Sequence, residues 1–262
     1  MKALDYHFHS YFSADSEENP RNHVLEALEN QLTEICFTEH RDFHFPGMKF
    51  DLDTEKYFAE IRELQAEFEK KITIKIGLEI GLDYRYQAEI EQFIAEKPYD
   101  FVIGSVHEID DIEVYDDTEY YVNKSKNQAH LQYLENVLKN VQTFDCYNSL
   151  GHLDYVARYG PYKDKFVKFD EFEQLIGQIL QVLVAKNKAL EVNTRLFEFP
   201  ETVNFYENLL VKFREFGGKQ ITLGTDNHEA QRDFAKLESA RKLILETGFD
   251  ELATFDKMKI EL

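Results

Sequence analysis

Short apolar runs with strand character recur seven times along this chain, and an amphipathic, helix-forming stretch follows each one. The runs occupy 3–8, 33–38, 72–78, 100–106, 145–150, 188–193 and 220–224. The helical stretches fall near 21–31, 54–70, 84–96, 128–142, 170–187, 202–216 and 230–247. Tyr57, Ile61, Leu64 and Phe68 mark one face of the second helix at α-helical spacing. Phe172, Leu175, Ile176, Ile179, Leu180 and Leu183 do the same in the fifth, and Gly217-Gly218 stops the sixth ahead of the last strand. Alternation without interruption predicts parallel strands joined by right-handed crossovers. We therefore expect an α/β fold, a slightly irregular (β/α)7 TIM-like barrel. One overlooked short strand would make it eight, and an open doubly wound sheet is the structural alternative. No linker, internal repeat or low-complexity stretch breaks the 262 residues, so 1–262 is read as one domain.

What the strands end in narrows the choice. In order they close with Asp5-Tyr-His7-Phe-His9, Phe37-Thr-Glu39-His40, Gly77-Leu-Glu79, Gly104-Ser-Val-His107, Gly151-His152-Leu-Asp154, Glu191-Val-Asn193-Thr-Arg195 and Gly224-Thr-Asp226-Asn-His228. Nitrogen and oxygen donors at the C-terminal ends of successive strands describe a metal site on a β/α barrel. A doubly wound sheet would gather them at one switch point only. His7 and His9 lie two apart, so an extended backbone turns both imidazoles to one side. Asp226 and His228 repeat that spacing on the last strand, which a closed barrel sets beside the first. Glu79, between Gly77 and Gly81, is costly as a lone carboxylate at a barrel mouth but well placed to bridge two cations. His107 and His152 complete a second nitrogen–oxygen site with it. His40 ends the second strand, and Asp15 lies on the loop just past the first.

Of the nine histidines, the exceptions to strand-end placement are His23, His44 and His130. His23 and His130 fall on helices and are expected to be surface or packing residues. His44, in a long loop, is a candidate for substrate contact. Two loops exceed the usual length, 41–53 and the acidic, aromatic 108–127 with Asp110, Asp111, Tyr115, Tyr120 and Tyr121. Both follow strands that carry donors, so both should overhang the site as substrate-selecting walls. The donor set as a whole implies a metal-dependent hydrolase.

Charge bears on the partner. With 30 basic against 50 acidic side chains the net charge is -20, a field that disfavours a nucleic-acid substrate. Cys36 and Cys146 lie in apolar strand-like runs and are expected to be buried, reduced thiols. The chain opens on a charged strand that already carries His7, which leaves no room for a signal peptide. No apolar run approaches the ~18 residues of a membrane span. The expectation is a soluble, cytoplasmic protein with no membrane partner; the sequence does not give its oligomeric state.

The order His-x-His, Thr-Glu-His, Gly-x-Glu, Gly-Ser-Val-His, Gly-His-x-Asp and Thr-Asp-Asn-His, spread over residues 5–228, resembles the polymerase-and-histidinol-phosphatase (PHP) family. That resemblance implies a distorted (β/α)7 barrel holding three divalent metal ions. It would give His7, His9, Glu79 and Asp226 to the first ion, with Glu79 bridging to a second completed by His107 and His152. Asp15, His40 and His228 would hold the third. Many family members have histidine where Asp15 stands, and Glu17 or Glu18 could take its part; a carboxylate there makes iron or manganese plausible beside zinc.

Clustered divalent ions suit phosphoester hydrolysis, because they activate water and stabilise charge on phosphoryl oxygens. Guanidinium groups complete such a clamp. Arg195, after the sixth strand, and Arg158, just beyond the fifth, are the candidates, with a surface ion pair the plain alternative for each. Asp15, His228 or Asp154 could protonate the leaving alkoxide, and Asp154 could instead support a ligating imidazole. The resemblance implies L-histidinol phosphate as the small phosphate ester. A related phosphoesterase acting on nucleotides, and a barrel amidohydrolase, are the competing readings.

Overall fold

The computed structural model describes residues 1–45, 47, 49–116 and 119–261. Seven parallel strands follow one another around the molecule in sequence order. They are β1 (Leu4–Asp5), β2 (Glu34–Phe37), β3 (Thr73–Gly81), β4 (Phe101–Ser105), β5 (Ser149–Leu150), β6 (Ala189–Asn193) and β7 (Ile221–Gly224). The first and last strands meet, which rules out the open sheet. Tyr6 N–H donates to Leu223 O at 2.9 Å, Asp226 N–H to His7 O at 2.6 Å and His9 N–H to Asn227 O at 2.7 Å. Gly224 is required at this seam, since a Cβ there would lie 2.2 Å from His7 Cβ.

Helices α1 (Pro20–Glu29), α2 (Thr54–Phe68), α3 (Gln87–Ala95), α4 (Lys126–Thr143), α5 (Val156–Tyr159), α6 (Glu173–Ala185), α7 (Pro200–Glu215) and α8 (Phe234–Glu246) cover the barrel. Local chemistry sets their starts. Asn19 and Asp53 cap α1 and α2, Ser125 and Gln128 form a capping box on α4, and Asp233 caps α8 four residues later than the periodicity indicates. The expected helix 84–96 opens instead as a tighter turn, Tyr84–Tyr86, because the Asp83 carboxylate takes the Arg85 N–H. Helix α5 was not anticipated. Its four residues carry Arg158 back toward the barrel mouth.

The long loops contain structure of their own. His40–Arg41 pairs with Glu79–Ile80 of β3. Glu108–Ile109 pairs antiparallel with Ile112–Glu113, and the turn between them is built from Asp110 and Asp111, both left-handed at φ 54° and 64°. At the opposite end, a second hairpin, Thr254–Asp256 with Lys259–Glu261, packs under the barrel. Phe255 lies 5.0 Å from Phe101, and its N–H reaches Tyr6 Oη at 3.3 Å. Cys36 is fully buried as expected; Cys146 is only partly so, because β5 begins three residues after it and leaves it in the preceding coil.

Candidate metal centre

Glu79 sits buried among the strand ends, and its two oxygens face different groups. Oε2 lies 3.2 Å from His7 Nε2, 3.4 Å from His9 Nε2 and 3.0 Å from His40 Nδ1. Oε1 lies 2.8 Å from His152 Nε2 and 3.3 Å from His107 Nε2, and accepts Ser105 Oγ at 2.6 Å. One carboxylate thus stands between two sets of imidazoles, the placement a bridging ligand needs.

Asp226 arrives from the seam. Its left-handed backbone (φ 56°) turns Oδ1 to 3.4 Å from His9 Nε2 and 3.7 Å from His7 Nε2. Two residues on, His228 Nε2 lies 3.1 Å from Asp15 Oδ2, and His40 Nε2 lies 3.7 Å from the same oxygen. Donor atoms mutually within 4.8 Å group as His7, His9 and Glu79; His7, His152 and Asp226; Glu79, His107 and His152; His9, His40 and His228; and His40, Asp42 and His107. The structure therefore brings all nine expected donors into one continuous ring, with Asp15 at its outer edge.

A second layer of residues fixes the imidazoles. His7 Nδ1 donates to Glu191 at 2.6 Å, and the other Glu191 oxygen accepts the His152 backbone N–H at 2.7 Å. His9 Nδ1 donates to Ser13 Oγ at 3.1 Å; that hydroxyl donates onward to Glu39 at 2.7 Å and also accepts the His40 N–H at 2.9 Å. His107 Nδ1 donates to Asp42 at 2.7 Å, and His228 Nδ1 to the Asp226 carbonyl at 3.1 Å. For His7, His9 and His107 that tautomer leaves Nε2 as the ligand atom, whereas His228 turns its Nε2 to Asp15. Glu191 lies mid-strand in an apolar run, the one signal that could have flagged it; Ser13 and Asp42 carry none.

The residues fit divalent cations. His7 Nε2, His9 Nε2, His40 Nδ1 and Glu79 Oε2 are buried without a hydrogen-bond partner among the described residues, an arrangement costly unless a cation satisfies them. Their mutual fields are strong. Burial would raise the Glu79 carboxyl, but His7 and His40 hold it well below the usual range. Asp226, against the same burial cost, is held low by Arg158 and then His7, and Asp15 by its hydrogen bond from His228. His9 is pushed down by burial and by His40 and His228. His40, although burial opposes it, rises to about 9 beside Glu79.

The two arginines differ. Arg158 is buried against Asp226, with Nη1 2.5 Å from Oδ2 and Nη2 3.1 Å from Asn193 Oδ1. Arg195 is exposed, and its guanidinium donates to the Asp226 carbonyl at 3.0 Å with no carboxylate partner among the described residues. Over the ring opens a cavity of about 390 Å³ lined by Asp15, Phe45, Phe50, Glu113, Tyr115, Tyr155 and Tyr159, with Gly47 at its edge. Tyr155 packs 4.8 Å from His152 and 5.1 Å from His107, and Phe50 packs 5.2 Å from His40.

Some expected placements do not hold. His44 turns outward, 3.2 Å from Glu89 and with its ring tilted against Tyr86 at 4.2 Å, and it is absent from the cavity lining. Glu17 is exposed, and Glu18 spends its carboxylate on Ala230 N–H, Asn19 N–H and Asn22, so Asp15 is the carboxylate that meets His228. Asp154 accepts Tyr206 Oη at 2.8 Å and touches no imidazole among the described residues. His23, expected at the surface or in packing, takes the packing place. It is buried, kept neutral by burial and Arg232 at about 3, and donates to the His9 carbonyl at 2.9 Å.

Comparison with known proteins adds four findings. Residues 5–195 match the PHP domain family. A histidinol-phosphatase of Lactococcus lactis subsp. lactis is 61% identical over 261 residues, covering 100% of this chain and 97% of the relative. The crystal structure of histidinol phosphate phosphatase from the same organism, complexed with zinc, L-histidinol and phosphate, superposes with a TM-score of 0.99 at 60% identity over 100% of this chain and 99% of the other. A Listeria monocytogenes structure at 20% identity, covering 87% of this chain and 96% of the other, shares the fold with a TM-score of 0.73.

Proposed function

The chain belongs to the PHP domain family, and from that premise we propose that it is a metal-dependent phosphomonoesterase converting L-histidinol phosphate and water to L-histidinol and phosphate. The observation that carries the reading is the union of a donor ring, divided by Glu79, with an acidic and aromatic cavity directly over it. Three divalent ions account for the ring. The first takes His7, His9, Glu79 and Asp226, the second Glu79, His107 and His152, and the third Asp15, His40 and His228. Zinc, iron and manganese all accept such donors, and zinc is the ion in the Lactococcus protein. Bound ions supply a deprotonated water and neutralise the phosphoryl oxygens.

The chain's own groups do the rest. Arg195 stands at the rim, where Nη1 holds the Asp226 carbonyl and the rest of its fork is left to take phosphate oxygens. Arg158, besides neutralising Asp226, keeps an Nε without a partner, and we read it as the second anchor. Asp15 lines the cavity and meets His228 there, and as ligands of the third ion the two would place an ion-bound water where it could give the leaving alkoxide its proton. Glu113 is the cavity carboxylate that stands outside the donor ring, and an ammonium group beside Tyr115 and Tyr159 would meet it. We take the whole chain as one domain. No helix among the described residues is long and apolar enough to cross a membrane, and we read the enzyme as cytoplasmic and without a nucleic-acid partner. An amidohydrolase reading gains no support, since no barrel strand among the described residues ends in a lysine.

The test is phosphate release from L-histidinol phosphate, p-nitrophenyl phosphate and a nucleoside monophosphate by metal-replete protein. A kcat/KM for the first several orders above the others is expected. Equal, slow turnover of all three would keep the phosphoesterase and remove the named substrate.

A further inference from the structure

Arg85 lies in the turn after β3, outside the donor ring, and contacts more carboxylates than any other arginine among the described residues. Its Nε donates to Asp83 at 2.9 Å, and Nη2 holds Asp83 as well. Nη2 also lies 3.1 Å from Glu108 Oε1, and Nη1 lies 3.0 Å from Asp111 Oδ1. Glu108 begins the 108–113 hairpin and Asp111 forms its turn, so one guanidinium grips the hairpin at base and tip.

That grip offsets a real repulsion. Glu108 pairs across the hairpin with Glu113, a like-charge pair, and the buried Glu108 carboxylate also faces Asp83 and Asp42. The same hairpin carries Glu113 to the cavity, where its Oε1 lies against Gly47 of the other long loop, and leads directly into Tyr115. Its base is fixed to a donor strand by Val114 N–H donating to His107 O at 2.9 Å. The far wall of the cavity is therefore held in place by a cation that touches neither the cavity lining nor the ring.

We propose that Arg85 is a positioning residue for substrate selection, clamping the 108–113 hairpin to the barrel rim so that Glu113 and Tyr115 meet the amino-alcohol part of the ester. The inference rests on the function proposed above. Its test compares wild type with Arg85→Met and Arg85→Lys, using kcat and KM for L-histidinol phosphate and for p-nitrophenyl phosphate, and amide hydrogen exchange of residues 108–114.

For Arg85→Met, KM for L-histidinol phosphate should rise by about tenfold with kcat within about twofold, because ground-state positioning is lost and the ring is not. Turnover of p-nitrophenyl phosphate should be unchanged, and the hairpin amides should exchange faster. Lysine keeps the charge without the fork and should fall between the two. Wild-type KM and exchange in Arg85→Met would overturn the proposal, as would an equal loss on both esters, which would place the effect in the ring. A wild-type protein that turns both esters over alike is failure of the functional reading instead, and the exchange measurement then decides the clamp by itself.

Discussion

Glu191 serves two ligands with one carboxylate, His7 through its ring and His152 through its backbone. Gln in its place keeps the volume but cannot accept from both, so Glu191→Gln should weaken metal binding about 10–100-fold while the protein stays folded. Metal content after dialysis, read beside activity restored by added zinc, checks this. The arginines should separate in a similar way. Arg158→Met breaks the buried ion pair with Asp226 and should cost about 3–5 kcal/mol of stability. Arg195→Met, at an exposed position, should leave the melting temperature in place and lower kcat/KM by about a hundredfold through lost phosphate contacts. The ligands were legible because a charged or imidazole side chain ending an apolar strand has few structural uses. Ser13 and Asp42 were not, since a serine in a polar loop looks alike whether it faces water or His9. His44 misled for the same reason: residue type does not say which way a left-handed loop residue (φ 55°) will turn.

Helix α4 carries a titratable residue in its apolar face. His130 is fully buried and neither ring nitrogen has a partner among the described residues. Burial, with Lys126 nearby, lowers it from 6.5 to about 4. The fold therefore favours the neutral ring. Its contribution is whole above pH 6.5 and is lost as pH falls toward 4, amounting to about 3 kcal/mol at the low end. His130→Leu should flatten the stability profile across that window in chemical denaturation, whereas wild type should weaken. Helices α2 and α6 were readable from their apolar spacing, whereas α5 and the hairpins were not. Four residues are too few to show a 3.6-residue period, and the 254–261 hairpin turns on left-handed Lys257 and Met258, neither of them a usual residue for such a turn.

Across the whole molecule, metal binding and folding are one equilibrium, because the ring exists only when the ends of β1 to β5 and of β7 are assembled. Each site filled at about a hundred times its dissociation constant adds ~2.7 kcal/mol. A chain of this size gains about 2–4 °C per kcal/mol, so chelation should lower the melting temperature by at least about 5 °C per strongly bound ion and abolish turnover. Calorimetry with and without a chelator measures the shift; an unchanged transition would mean that the ring holds no ion in solution. The seam between β1 and β7 carries a kinetic consequence. Thr225 and His7 are joined across 218 residues of chain, so the first ligand pair acquires its partners only through a closure that spans most of the molecule. Ion capture must be among the last events of refolding. A denatured sample returned to buffer should therefore recover helical signal well before it recovers turnover, and turnover serves as a reporter that the two ends of the chain have found each other.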